Sequence, residues 1–430
     1  MKPDAKKMTV EDAVALVRPR DTVASGLATG QAVTLLEALG KRDDLEYVRL
    51  YLGLMIWPYS LLLNRNVHVL SGFFGPIERD ARAKGCNIEY VCEDFIGLER
   101  LGLRLKPRVM FAPTTMPDEN GFLNFGLHSG ATTRPFMEAA ADPQRLAIAE
   151  ANPRMPRVAG LPDHGFNRIH IAEIDGWVES ETSLTTLPNA EASPEEIAIA
   201  DFVAAEIEDG ANLQFGIGAI PNEIARILAN SRRGDFGIHT EMISDGVMHL
   251  HESGKVRNHH TAFENVTVAT FALGSQALYD WLDDNPVVRM LPVSAVNDPA
   301  VVAKMEKFVS VNGALAVDIL GQAAADYVGG KQYSGVGGHE LFVSGAGGAP
   351  QGKSFLCLKS TATVAGARRS TIVAHFGAEI AVTTPRHHVQ YVVTEHGVAY
   401  IEGKGDRERA HALVEIAHPD YREELRRAIK

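Results

Sequence analysis

The sequence predicts an α/β fold of two open α/β/α domains of similar type, and three observations carry that expectation. At 430 residues the chain exceeds what one hydrophobic core usually organises, so two domains of roughly 200 residues each are expected. Short apolar runs alternate with segments long enough for crossover helices, the pattern of a mostly parallel sheet covered on both faces. Each half also opens on a strand, a glycine loop and a helix. These are TVASGLATGQAVTLLEAL from Thr22 and NLQFGIGAIPNEIARIL from Asn212, with Gly26 and Gly216 in equivalent places.

Taken in order, Thr9 with Asp12 reads as a cap, and Val10, Ala13, Val14 and Val17 recur at helical spacing. Residues 22–25 read as a buried strand, 26–30 as a loop and 32–39 as a helix closed by Gly40. Strands are expected at 48–53, 67–70, 88–91 and 108–112. Three runs rich in Pro, Gly and Asn, 112–126, 127–135 and 149–160, read as loops of the kind that bind ligands at strand ends. Turn formers without periodicity mark a break at 179–193, which sets domain bounds of 1–185 and 193–430.

The second half begins with a capping box, Ser193 with Glu196, and Pro194 suits the first helical position. Ile197, Phe202, Val203 and Ile207 are expected to form the apolar face before Gly210. A strand at 212–215 precedes a helix begun near Pro221. Strands at 235–240, 266–273 and 287–291 and a helix at 275–283 follow. Asn312 and Gly313 suggest a hairpin over 308–320. Later strands are expected at 355–358, 371–375 and 390–394, and the tail reads as two amphipathic helices hinged near Pro419.

Composition removes several function classes. A net charge of −12 disfavours nucleic-acid binding through a broad basic face. Apolar residues at 45% and charged residues at 22% match a soluble globular protein, and no apolar run reaches membrane-spanning length. The opening segment lacks the apolar stretch of a signal peptide, so a cytoplasmic protein is expected. Cys86, Cys92 and Cys357, odd in number and without a CxxC pair, fit a reducing compartment and no disulfide framework.

The candidate chemistry lies in FGIHTEMISDG (236–246), where an apolar run ends and presents Glu241. On the residues alone Glu241 is either a solvated loop acid or a nucleophile. Two glycine runs bear on the choice: GIGAIP (216–221) and SGVGGHELFVSGAGG (334–348). Gly216, Gly218, Gly335, Gly337 and Gly345 leave backbone uncovered, so amides can approach a ligand or a developing oxyanion, although turn formation alone also explains such glycines. A P-loop is excluded because no GK[ST] follows, the third glycine of a dinucleotide fingerprint is missing, and no GxSxG elbow occurs. His259 with His260, and His387 with His388, are adjacent pairs that point apart in a strand, so no metal is expected.

The chain resembles the acetyl-CoA hydrolase/transferase family, the class I CoA-transferases that include 4-hydroxybutyrate, butyrate and itaconate CoA-transferases. The resemblance rests on GIGAIPNEI, GIHTEMISDG, VNDPAVV, SGVGGHELFVSGA, KSFLCLKSTA, VTTPRHHVQYVVTEHGVAYIEGK and RERAHALVEIAHPDYREEL, in this order. It implies an active site at the interdomain cleft, Glu241 as nucleophile, Gly338 as the amide lining the oxyanion site and Asn297 near the nucleophile. It also implies acyl-CoA and a small carboxylic acid as substrates, a covalent glutamyl-CoA thioester, coenzyme A as a substrate without any prosthetic group, and a homodimer or higher homo-oligomer. Relatives often carry Asp then Phe after the glycine turn, whereas here Leu341 precedes Phe342 and Glu340 stands one place earlier. Two alternatives stay open: an acyl-CoA hydrolase, in which water intercepts the intermediate, and a non-catalytic CoA or metabolite sensor.

Overall fold

The structure, a computed structural model, describes residues 6–188, 191–263, 265–364 and 366–429. Residues 1–5 of the opening segment and 189–190 of the expected linker lie outside them. The chain divides into two compact units, Met1–Leu187 with Val268–Val296 and Pro188–Thr267 with Asn297–Lys430. The first crossing falls beside the expected break at 179–193. The return of Val268–Val296 to the first unit has no such signal, because its helix Gln276–Leu282 buries Leu278, Tyr279 and Leu282 like any other core helix.

The first unit is built on eight parallel strands: β1 (Lys6–Lys7), β2 (Arg20–Leu27), β3 (Tyr47–Gly53), β4 (Val67–Ser71), β5 (Ile88–Tyr90), β6 (Val109–Thr114), β7 (Leu146–Ala151) and β8 (Gly176–Glu179). Their spatial order is β1-β8-β7-β6-β2-β3-β4-β5. Alternation along the strands separates two cores. Val23, Val48, Leu50, Val109, Phe111 and Ile148 face helices α1 (Val10–Ala15) and α2 (Val33–Gly40), whereas Ala24, Met110, Ala112, Ala147 and Ala149 face α3 (Thr133–Ala141). Thr9 caps α1 as its sequence suggests, accepting from the Asp12 N–H at 3.0 Å.

All three expected loops are corrected in part here. The run 112–126 begins inside β6 and carries a short strand at Phe122–Asn124, paired with Arg168–His170; 149–160 begins inside β7, and 127–135 runs into α3. The segment LAIAEA lacks β-branched density and carries a charge, yet it is an interior strand. Its Glu150 is buried because the carboxylate accepts the Thr34 and Leu35 amides, at 3.1 and 3.0 Å, at the start of α2.

The second unit has a six-stranded sheet: β9 (Asn212–Phe215), β10 (Gly237–Ile238), β11 (Phe308–Gly313), β12 (Lys353–Cys357), β13 (Tyr391–Thr394) and β14 (Gly397–Tyr400). The order is β10-β9-β11-β12-β13-β14, parallel except for the terminal β13–β14 pair. Its helices include α4 (Pro194–Ala205), α5 (Ala219–Ala229), α6 (Asp245–Glu252), α7 (Pro299–Val302), α8 (His339–Gly348), α9 (Asp406–Glu415) and α10 (Pro419–Ala428). The Ser193–Glu196 capping box forms as expected. The buried side of α4 is Ile199, Ala200, Val203 and Ala204, while Ile197 and Phe202 stay exposed, so two of its four expected core residues are outward.

The hairpin expected over 308–320 does not form. β11 runs straight through Asn312 and Gly313, paired in parallel to β9 and β12, and Ala316–Asp318 pairs instead with Ala323–Ala324 and Ile372–Val373. Phe308, Val309, Ser310 and Val311 are buried, and pairing on both edges outweighs a two-residue turn preference. Among the described residues no helix is long and apolar enough to cross a membrane.

Candidate active site

Glu241 stands just beyond the carboxyl end of β10, in the second unit. The ladder to β9 continues through the His239 N–H, which donates to the Leu213 carbonyl at 3.1 Å. It is then closed by a side chain. The Thr240 hydroxyl donates to the Phe215 carbonyl at 3.1 Å and accepts the Phe215 N–H at 3.3 Å. With its neighbour tied in this way, the backbone at Glu241 bends out of the strand and carries its carboxylate to the sheet's end, where open α/β sheets bind ligands. Below it, His239 is fully buried, stacked on Phe263 at 5.9 Å and edge-on to Phe308 and Phe342, which forms an aromatic floor.

Two donors meet the carboxylate. The Nδ2 of the buried Asn297 donates to Glu241 Oε2 at 2.6 Å, and the Gly338 N–H donates to the same carboxylate. Asn297 comes from the residue before the Asp298 cap of α7, and Gly338 caps the amino end of α8. The three residues expected to work together are therefore in contact. A cap position at a helix start also turns the positive end of the peptide dipoles toward the carboxylate.

Burial raises the Glu241 pKa from 4.5 to about 7, and the hydrogen bonds from Asn297 and Gly338 oppose that rise without cancelling it. The group is therefore balanced between acid and carboxylate near neutrality.

Gly338 is required by space, not by backbone angle. Its φ is −93°, open to any residue, but a Cβ there would lie 2.0 Å from Glu241 Oε2 and 2.3 Å from Asn297 Nδ2. Gly337, at φ +56°, is the position in this turn whose left-handed conformation favours glycine.

The other glycines separate into two kinds. Gly218 caps α5 in an exposed loop at φ +123°, with nothing within 4 Å of a built Cβ, and Gly335 is buried in the turn before Gly337. Gly216 has its N–H committed to the Val311 carbonyl at 3.1 Å. Gly345 is corrected: residues 339–348 form the helix α8, so its amide belongs to the helical ladder rather than to a ligand loop. What Gly345 provides is close packing, since a Cβ there would lie 2.7 Å from Val302 Cβ in α7.

The adjacent histidines have ordinary partners. His259 and His260 lie 3.0 and 3.7 Å from the Asp235 carboxylate, and His388 pairs with Glu340. Among the described residues no group of three or more His, Cys, Asp or Glu could hold a metal ion.

Sequence reading missed the supports of the glycine turn. Asp326 accepts the Tyr333 and Ser334 amides on its carbonyl, at 2.7 and 3.1 Å, and Gln332 Nε2 on its carboxylate at 3.0 Å. After the turn, His339 Nε2 lies 2.8 Å from Thr384 Oγ1, and Glu340 meets His388. The only signal in the sequence was the stretch VTTPRHH, which shows no chemistry until it is folded against the turn.

The protein-family model for the acetyl-CoA hydrolase/transferase C-terminal domain matches residues 274–429. The 4-hydroxybutyrate coenzyme A transferase of Clostridium kluyveri is 37% identical, across 99% of this chain and 97% of the relative. The butyryl-CoA:acetate CoA-transferase of Anaerostipes caccae is 34% identical, across 98% and 95%. The crystal structure of RipA from Yersinia pestis superposes with a TM-score of 0.90 at 32% identity, covering 98% of this chain and 96% of that one. Near-complete coverage at this identity, with the same fold, shows that the chain belongs to the CoA-transferases of the acetyl-CoA hydrolase/transferase family.

Proposed function

We propose that this protein is an acyl-CoA:carboxylate CoA-transferase in which Glu241 carries CoA as a covalent thioester. The observation that carries the reading is a half-buried carboxylate, raised to about pKa 7, with a side-chain amide and a helix-capping backbone amide on it. CoA-transferase names among relatives matched over nearly their full length support the same class of reaction.

The steps balance without any external reagent. A Glu241 carboxylate oxygen attacks the thioester carbonyl, and the tetrahedral oxyanion collapses with loss of CoA thiolate to an acyl-glutamyl anhydride. The thiolate then attacks the Glu241 carbonyl, the acyl carboxylate leaves, and glutamyl-CoA remains. The incoming acid attacks glutamyl-CoA, expels the thiolate and forms a second anhydride. Attack of the thiolate on the new acyl carbonyl releases the new acyl-CoA and restores the carboxylate.

Each attack on glutamyl carbon puts negative charge on a Glu241 oxygen. Oε2, with Asn297 Nδ2 at 2.6 Å and the Gly338 turn against it, is the oxygen prepared for that charge. Oε1 is then the nucleophile. The open Gly218 loop and the turn at Gly335 and Gly337 are the proposed backbone contacts of CoA, while Gly345 drops out of that role.

The acid is proposed to be short-chain, with butyrate, 4-hydroxybutyrate and itaconate as the test set, and the enzyme to act in the cytoplasm as a homo-oligomer. Incubation with acetyl-CoA and each acid should yield the new acyl-CoA without net loss of thioester. Borohydride treatment after acyl-CoA should reduce the Glu241 peptide specifically. Free CoA released equally fast without an acceptor would favour a hydrolase, and full transfer by Glu241→Ala would sink the mechanism. Ligand binding without turnover across the whole panel would favour the sensor.

A further inference from the structure

The glycine turn that delivers the Gly338 amide is the least self-supporting part of the site. Gly335, Gly337 and Gly338 have no side chains to anchor them, so their backbone must be fixed from outside if one amide is to meet Glu241 reproducibly. One short segment of the second unit reaches it from both directions. Before the turn, the Thr383 hydroxyl donates to the carboxylate of Asp326, whose carbonyl holds the Tyr333 and Ser334 amides. After the turn, the buried Thr384 meets His339 and His388 meets Glu340, the first two residues of α8. The segment is itself held in place: the Thr383 and Thr384 amides both donate to the Ala323 carbonyl, at 2.9 and 3.0 Å, and Arg409 of α9 donates to the Arg386 carbonyl at 2.6 Å.

We infer that residues 383–388 form a strap that sets the Gly338 amide on Glu241, with Thr383, Thr384 and His388 as positioning residues. The inference rests on the reading of Glu241 as nucleophile and adds what keeps its hydrogen-bond donor in register. The three contacts lie on opposite sides of the turn, so they fix both its entry and its exit, which a single contact could not do. The exit contact persists at working pH: burial lowers the His339 pKa to about 4, so its ring is neutral and keeps one donor and one acceptor nitrogen. The strap also gives the adjacent His387 and His388 unequal duties, since His388 reaches Glu340 while His387 is exposed.

The consequence is specific. If the strap slackens, the Gly338 amide withdraws, the carboxylate loses a donor that favours its charged form, and the Glu241 pKa rises. The test measures that pKa directly, by isotope-edited infrared titration of the carboxyl against Glu241→Gln, together with the acid limb of the kcat/KM profile. Thr384→Val and His388→Ala should each move both upward by about one pH unit, a typical effect of one hydrogen bond to a carboxylate. Thr384→Ser and His388→Asn, which keep the hydroxyl and a nitrogen donor, should return both toward wild type. Variants that are folded and melt earlier, with the Glu241 pKa unmoved, would reduce the strap to a merely structural role and overturn the inference. Since the infrared readout needs no turnover, absence of transferase activity in the wild type would refute the proposed function separately from the strap. Thr383→Val, acting through Asp326 at the other side of the turn, gives the same readout should an α8-side variant fail to fold.

Discussion

Replacing Asn297 with alanine separates what its amide does before the reaction from what it does during it. The amide nitrogen lies 2.6 Å from Glu241 Oε2, and Asn297 is fully buried, so no water takes its place at full strength. A hydrogen bond to a charged group contributes about 1.5–3 kcal/mol, and 1.36 kcal/mol corresponds to one pKa unit, so the loss should raise the Glu241 pKa by about 1–2 units. Starting from about 7, the variant would titrate at roughly 8–9. The sign follows from the active form: in the proposed mechanism the carboxylate is the nucleophile, so kcat/KM should rise with pH through this pKa and then level. At pH 7 the ionised fraction would fall from about one half to between about 1% and 10%. That part of the loss is recovered at high pH. The other part is not: an oxyanion donor is gone, which lowers the plateau by about 100- to 1000-fold. A stopped assay of acyl-CoA formation from pH 5.5 to 9.5 resolves the two, because kcat/KM reports the free enzyme. An acid limb that stays at the wild-type position in a folded Asn297→Ala enzyme would refute the argument, since the donor would then not be holding the charge.

Other consequences follow from the same geometry. Because the Glu241 pKa is raised, the folded state binds more protons than the unfolded chain between about 4.5 and 7, and stability is lost as pH rises through that window. Glu241→Gln should therefore be more stable than wild type at pH 8, by up to about 3 kcal/mol, and nearly equal at pH 4 to wild type in denaturant titrations. Gly338→Ala should fold, its φ of −93° being ordinary, yet lose at least about 100-fold in kcat, because the new methyl occupies the space of Oε2. Normal turnover in that variant would remove the close approach from the mechanism. Gly345→Ala should instead cost about 1–3 kcal/mol of stability by forcing α8 from Val302, with the Glu241 pKa little changed once folded. Burial pushes the Cys357 thiol up to about 12, so thiol reagents should label exposed Cys92 in the native protein and Cys357 only after denaturation.

Local chemistry was legible before folding. The Ser193–Glu196 capping box, the βα openings at Thr22 and Asn212 and the tail helices each depend on residues a few positions apart, and each formed where the pattern put it. The family stretches added the candidacy of Glu241, Asn297 and Gly338. What sequence could not give were outcomes decided by distant partners. β7 is a strand because β6 and β8 pair with both its edges while α2 supplies amides for its buried Glu150, and β11 ignores its turn signal because neighbours pair with both its edges. The glycine run 334–348 reads as backbone left uncovered for a ligand, but residues 339–348 are helical and Gly345 lets α8 pack tightly on α7.

The site divides in the same way. The sequence by itself determined which groups exist: a carboxylate after a strand, an amide side chain in the stretch VNDPAVV, and a glycine-rich turn with few side chains. Only the tertiary structure brought Asn297 to Glu241 across 56 positions, buried Asn297 fully and Glu241 in part, and raised the Glu241 pKa toward neutrality. It also turned VTTPRHH from a run with no evident chemistry into the support of the turn. The physical reason is that a residue's propensity is set by its neighbours in the chain, whereas its dielectric environment and hydrogen-bond partners are set by whatever the fold places beside it.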